Sequence, residues 1–331
     1  MNSSWEPAQS QVPASIPKDD GSAAQELKNK IFREIKRTQK LPSPDKTAMD
    51  IFRLSRDKNV DYNKLRKIVE KDPAIASRVM QLANSAFYRS QVRIYSLKNA
   101  FVRLGMKMLG NVALGVSLVS QNKKGPCAAF DYEDFWSESV ARSVSCWYMA
   151  DDTIRLIDTD AAFTAGLLCQ IGRLAFATVY PAKYTMVLRA SETGGSTDLL
   201  DREQDVFGLD HNELAAKMMT EWNLPDFFCR AVQYQDKLSE RDNLPADSQE
   251  RALARMLHWS KAIAMILTKK QIPTRKALDI TVQATGLFGL PHSEFPQSFD
   301  MISSEWVKMG SIFEVETREV PPWRKIYSLA G

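Results

Sequence analysis

The sequence predicts an all-α protein. Apolar residues recur at the helical period of about 3.6 residues from Ala23 onward. Recognisable helix starts precede most of these stretches. No convincing strand–helix–strand unit and no internal repeat interrupts them. The best candidate for a strand, a minor element near the C-terminus, is Ile312 to Val320, which partly alternates.

Residues 1 to 22 are rich in Ser, Pro, Gln and Ala and read as a disordered N-terminal arm, with Trp5 its only large aromatic residue. Leu27, Ile31, Phe32 and Ile35 then share one helical face, and Lys28, Lys30, Arg33, Lys36, Arg37 and Lys40 cover most of the rest. Such a basic helix reads first as the solvated side of a packed element. Ser43-Pro44 is expected to cap the next helix, which carries Ala48, Met49, Ile51, Phe52 and Leu54. Asp61 caps the following one. Asp72-Pro73 ends it and starts another, which buries Ile75, Val79, Met80 and Leu82. Ser96 opens a segment that Gly105 and Gly110 interrupt, and Asn122 to Pro126 is a loop. From Asp131 to Tyr180 the chain is helical again, with a strongly apolar helix over Ala162 to Leu174. Gly194-Gly195 breaks the chain. Asp210 and Glu213 have capping-box spacing, and Pro225 separates two helices. Asp236 to Glu250 reads as a charged linker, and helical patterning resumes at Leu253. Ile280 to Phe288 fits strand or helix by residue type. These boundaries give an arm (1–22), a main helical domain (23–237) and a C-terminal helical extension (238–331), in line with the two domains that 331 residues suggest.

Composition narrows the chemistry. Lys+Arg 44 against Asp+Glu 40 gives a net charge of +4, a mild imbalance that does not mark a dedicated nucleic-acid binder. No apolar run approaches the ~18 residues of a membrane span, and the start has no basic region followed by an apolar stretch, so a secretory signal is not expected. The four scattered cysteines form no CxxC pair, which points to a reducing cytosol. Only three histidines occur, so a His-rich metal site is not expected, and no nucleotide-loop or hydrolase motif is present. Cys169 lies among apolar residues and reads as a buried thiol; His211 follows an N-cap and reads as a helix-start residue.

From Leu41 to about Tyr234 the ordered pattern resembles the HDOD domain, a divergent branch of the HD phosphohydrolase superfamily. Leu41-Pro42-Ser43-Pro44 opens it. Asp72-Pro73, then Asn84-Ser85, follow. Ser96-Leu97 and Leu104-Gly105, Phe135-Trp136, Gly166-Leu167-Leu168 and Ile171-Gly172 come next in order, and Trp222, Leu224 and Pro225 close it. The resemblance implies an HD-related helical bundle in which Asp72, Pro73, Asn84, Ser85, Gly105, Trp136, Gly166, Gly172, Trp222 and Pro225 are structural. It also implies where a metal site stood. Cys169-Gln170 replaces the His-Asp pair of active HD enzymes, Glu138 stands near an earlier His, and Gln233-Tyr234 near a later His pair. Only His211 matches a position where His is common. Glu138, Cys169, Gln170, His211, Gln233 and Tyr234 are therefore the candidate ligand-binding residues of a dismantled site, with no catalytic residue, metal or cofactor expected.

The function expected from this resemblance is a non-catalytic bacterial signalling module in the cytoplasm. It would act by binding a signalling protein or a small nucleotide ligand, in cyclic-dinucleotide, motility, biofilm or stress control. Two alternatives stay open: a phosphohydrolase with carboxylates such as Glu138 and Asp210 in an altered ligand set, and a nucleotide or nucleic-acid binder using Lys28 to Lys40.

Overall fold

The computed structural model describes residues 21–330 apart from 58, 86–87, 89–91, 153–155, 193–198, 238–242, 270–273, 276–277, 280 and 283–290. Trp5, Gly194-Gly195 and most of Ile280 to Phe288 lie outside the described residues. The elements are all helical: α1 (Gly21–Arg37), α2 (Lys46–Leu54), α3 (Tyr62–Glu70), α4 (Pro73–Ala83), α5 (Leu97–Leu104), α6 (Met106–Gln121), α7 (Tyr132–Asp152), α8 (Thr159–Leu168), α9 (Ile171–Val179), α10 (Pro181–Glu192), α11 (Leu199–Phe207), α12 (His211–Glu221), α13 (Asp226–Tyr234), α14 (Gln249–Thr268), α15 (Phe295–Phe313) and α16 (Trp323–Leu329).

Local chemistry sets most starts. Asp61, Asp72 and Ser96 accept backbone N–H bonds at the first turns of α3, α4 and α5. Asp210 and Glu213 complete a reciprocal capping box on α12. At α2 the cap is Asp45, which accepts from Ala48 N at 2.8 Å, and not Ser43. Ser43 Oγ instead donates to Leu41 O at 3.3 Å. Gly105, at φ +75°, ends α5 and starts α6, and the two axes meet at 105°. A side chain would be strained at that φ, so the motif glycine is a hinge of fixed angle.

α7 is the axis of the molecule. α8, α14 and α15 pack along it, α2 pairs with α6, and α12 with α13 and α9. Trp306 of α15 is almost fully buried, and its indole N–H donates to Ser137 O of α7 at 3.0 Å. Trp323 and Tyr327 stack within the same C-terminal cluster, so these aromatics pack on the body. Two expectations need correction. Among the described residues there is no strand: Ile312 and Phe313 end α15, and 314–322 is irregular chain. Arg318 fixes this chain by donating to Leu267 O at 2.8 Å, so no second strand is needed. The stretch Thr159–Val179 is also long and apolar enough to cross a membrane by composition. It is the core of the bundle instead, broken after Leu168 into α8 and α9 rather than continuous.

Candidate functional site

Two glycines bring the relevant elements into contact. A Cβ on Gly166 of α8 would lie 2.7 Å from Arg142 O, and one on Gly172 of α9 would lie 2.0 Å from His211 O. Only glycine permits these approaches without a backbone shift. They place the Cys169-Gln170 break at the junction of α7, α9, α12 and the turn that follows α13.

The centre of that junction is Arg142, which is fully buried. Its Nη1 donates to Cys169 Sγ at 2.9 Å and to Gln235 Oε1 at 3.2 Å, and its Nε lies 3.3 Å from Glu138 Oε1. Its Nη2 has no hydrogen-bond partner among the described residues. Arg173 Nη1 reaches Glu138 Oε2 at 3.4 Å and Gln170 Oε1 at 3.3 Å. Gln235 Nε2 donates to Asn212 Oδ1 at 2.8 Å, and Asn212 Nδ2 to Asp236 Oδ2 at 3.1 Å. Asp236 Oδ1 faces Lys261 Nζ at 3.1 Å and His258 Nδ1 at 3.4 Å. His211 is tied on the other side. Its backbone N–H donates to Glu203 Oε2 at 2.8 Å, its Nδ1 lies 2.6 Å from the same oxygen, and Tyr184 OH donates to Glu203 Oε1 at 2.9 Å.

Charge and burial compete here. Burial pushes Glu138 up, but the guanidinium groups of Arg142 and Arg173 outweigh it and hold the carboxyl below its usual range. Asp236 is likewise pushed up by burial and held far below the usual range by His258, Lys261 and Arg142. Burial also raises the Cys169 thiol, and Arg142 does not fully offset this, so sulfur is a neutral acceptor. Arg142 resists the burial penalty because the Cys169 sulfur accepts its hydrogen bond and the Glu138 and Asp236 carboxylates favour its charge.

The donor set does not fit a divalent metal. Glu138 is one carboxylate, Gln170 is neutral and Cys169 is protonated, and a permanent cation already sits between them. Among the described residues no group of three His, Cys, Asp or Glu side chains is arranged to hold a metal ion.

The structure brings Glu138, Cys169 and Gln170 into one closed cluster, with His211 at its edge. Gln233 and Tyr234 do not join it. Gln233 lines a separate cavity of about 560 Å³ with Lys28, Glu213, Lys217 and Arg230, and Tyr234 is half-buried. Gln235 and Asp236 point inward instead, two residues further along, so Asp236 is part of the site and not of a linker. Sequence reasoning missed Arg142, Arg173, Asn212 and Gln235. The available signal was Arg142 itself, four residues after Glu138 and amid Ser139, Ser143 and Ser145.

The motif residues are accounted for by backbone chemistry. Asn84 holds Ile94 from both sides: its Oδ1 accepts Ile94 N–H at 2.9 Å and its Nδ2 donates to Ile94 O at 2.9 Å. Ser85 Oγ donates to Leu82 O, and Trp136 Nε1 to Asn122 O at 3.0 Å. Pro73 opens α4 after the Asp72 cap. Trp222 ends α12, and Pro225 O accepts from Phe228 N at 2.9 Å. The basic helix α1 is docked on α12: Lys28 pairs with Glu213 at 2.6 Å, Lys36 with Glu221, and Lys217 donates to Asn29 at 2.6 Å.

Comparison with known proteins agrees with this architecture. An HDOD domain protein of unknown function from Geobacter sulfurreducens shares the fold, with a TM-score of 0.66 at 18% identity over 86% of this chain and 98% of that one. An uncharacterized protein of Treponema pallidum is 20% identical over 206 residues, 61% of this chain and 39% of its own length. The cyclic di-GMP phosphodiesterase CdgJ of Vibrio cholerae is 28% identical over 138 residues, 41% of this chain and 30% of its own length. The matched region thus spans well under half of either curated relative. The HDOD domain matches residues 41–238, well over half of the chain, and the protein belongs to the HDOD domain family.

Proposed function

We propose that this chain is a non-catalytic HDOD signalling module that works by binding a protein partner. The observation that carries this reading is Arg142. A guanidinium fixed 2.9 Å from Cys169 Sγ and 3.3 Å from Glu138 Oε1 holds the position that a hydrolytic cation would need. Its charge repels a divalent ion, and its pKa leaves no neutral form at physiological pH. The metal-bound water on which HD hydrolysis depends then has nowhere to form. The closed cluster leaves the outer surface of the bundle for recognition. Similarity to CdgJ favours a place in cyclic-dinucleotide signalling, where this chain would be a partner-binding component and not the phosphodiesterase.

The test is metal content and hydrolysis on the full chain. The protein is incubated with manganese and iron, desalted, and assayed on bis-p-nitrophenyl phosphate and cyclic di-GMP. Neither retained metal nor turnover is expected. Stoichiometric metal with turnover that Glu138→Gln abolishes would overturn the reading and restore the phosphohydrolase alternative.

A further inference from the structure

Residues 73 to 130 contain no Asp or Glu and eight Lys or Arg. Within this stretch lies the only dense run of exposed large apolar side chains among the described residues: Val92 at 71%, Tyr95 at 82% and Val102 at 77% exposure. Lys98 and Val102, four residues apart, share one face of α5, and Tyr95 stands in the extended chain just before the Ser96 cap. Arg93 sits over the Tyr95 ring at 5.9 Å. Neither Arg93 nor Lys98 forms an ion pair among the described residues, in contrast to Lys28 and Lys36 of α1.

The face is also held in shape. Asn84 fixes Ile94 on both sides. Arg103 donates to Ala83 O at 2.9 Å and to Val92 O at 2.8 Å, and Tyr62 OH donates to Lys98 O at 3.1 Å. Exposed apolar groups on a rigid backbone with unpaired cations beside them are the components of a recognition surface, since ordering costs are already met in the free protein.

We infer that the face formed by Val92, Arg93, Tyr95, Lys98 and Val102 is a docking site for an acidic protein segment with apolar side chains at helical spacing. The occupant follows from charge complementarity. The aliphatic residues need apolar partners, and the two free cations need carboxylates. Two cations are too few for a phosphate track, and Arg103 is committed to carbonyl oxygens, so a nucleic acid fits less well. The inference rests on the partner-binding reading above and supplies the place and the chemistry of that binding.

The experiment uses a displayed library of random linear peptides, selected on the full chain and counter-selected on Lys98→Glu/Val102→Ser. Both positions are exposed, and circular dichroism checks that the variant folds. The best peptide is then synthesised and followed by fluorescence anisotropy. The expected result is enrichment of Asp/Glu-rich peptides with apolar residues three or four apart. Their binding should weaken about tenfold or more in Lys98→Glu and in Val102→Ser, and be unchanged in Lys36→Glu. Enriched peptides without acidic character, peptides indifferent to Lys98 and Val102, or no enrichment would overturn the assignment. Binding of labelled oligothymidylate that Lys98→Glu abolishes, with no peptide doing the same, would replace it with a nucleic-acid surface. These outcomes are separate from the metal and turnover assays, so this surface can fail while the non-catalytic reading stands, and the reverse.

Discussion

Two regions of the molecule gather opposite charges, and they do so under opposite conditions. At the α1–α12 seam, Lys36 and Glu221 meet with both side chains about half in solvent. Around Arg142 the cation is wholly buried, and Glu138 is 16% exposed. Water screens the first pair and leaves it worth little. In the second region Arg142 is shut off from solvent, so its charge depends on its neighbours for the solvation it has lost. The seam should therefore tolerate the loss of a member far better than the buried cluster.

The largest expected effect follows from that dependence. Arg142→Ala should lower the unfolding free energy by about 3–5 kcal/mol, measured by urea denaturation, because Glu138 and Asp236 are left without their buried cation. Arg142→Met combined with Glu138→Gln should recover a substantial part of this loss. If Glu138→Gln changes stability by the same amount in the wild type and in Arg142→Met, the two side chains are not coupled and the contrast between the regions breaks.

Acid titration sharpens the same point. Glu138 and Asp236 have folded pKa values below the unfolded carboxylate range of about 4. Their contribution is therefore present above that range and is lost as pH falls below it through the depressed folded values. The stability gap between the wild type and Arg142→Met should therefore be widest near neutral pH and narrow as pH falls below about 4, read by urea denaturation across that range.

Asp160 provides a carboxyl of the opposite kind. Burial, aided by Asp158, lifts its pKa from 3.8 to about 6 despite Lys107 and Arg56. The folded state then binds the proton more tightly than the unfolded one, so this contribution falls away as pH rises from about 4 through 6. Asp160→Asn should stabilise the protein by about 1–2 kcal/mol at pH near 7.5 and have little effect near pH 4, measured by thermal unfolding at both. The smallest effect belongs to the seam. Lys36→Ala should cost less than about 1 kcal/mol, and the difference should shrink in high salt.

Much of the fold was legible because helix starts are local. The caps at Asp61, Asp72, Ser96 and Asp210 are decided by a side chain and the next three backbone amides, all adjacent in sequence. At α2 the sequence pointed to Ser43, whereas the cap is Asp45, which is held by Ser117, 72 residues away, whose Oγ bonds both the Asp45 carboxylate and its backbone N–H. The break between α8 and α9 was hidden by continuous apolar composition, since Gly166 and Gly172 act through helices that approach from elsewhere in the chain. The site was legible on the side of Glu138, Cys169 and Gln170. Its central residue was not, because an arginine within a helix reads as solvated unless its distant partners Cys169 and Gln235 are known. On the far side the register was off by two residues, enough to exchange outward Gln233 for inward Gln235.

The guanidinium at the heart of the bundle is part of the polypeptide. A centre built on manganese or iron fills and empties with the cell's supply, and iron also changes valence with oxygen. A centre built on Arg142 is complete as soon as the chain has folded. Starvation for transition metals or a burst of peroxide, conditions that silence metal-dependent phosphodiesterases, leaves this cation in place. On the partner-binding reading proposed above, its output would be set by how much of the protein is made and by which partner is at hand.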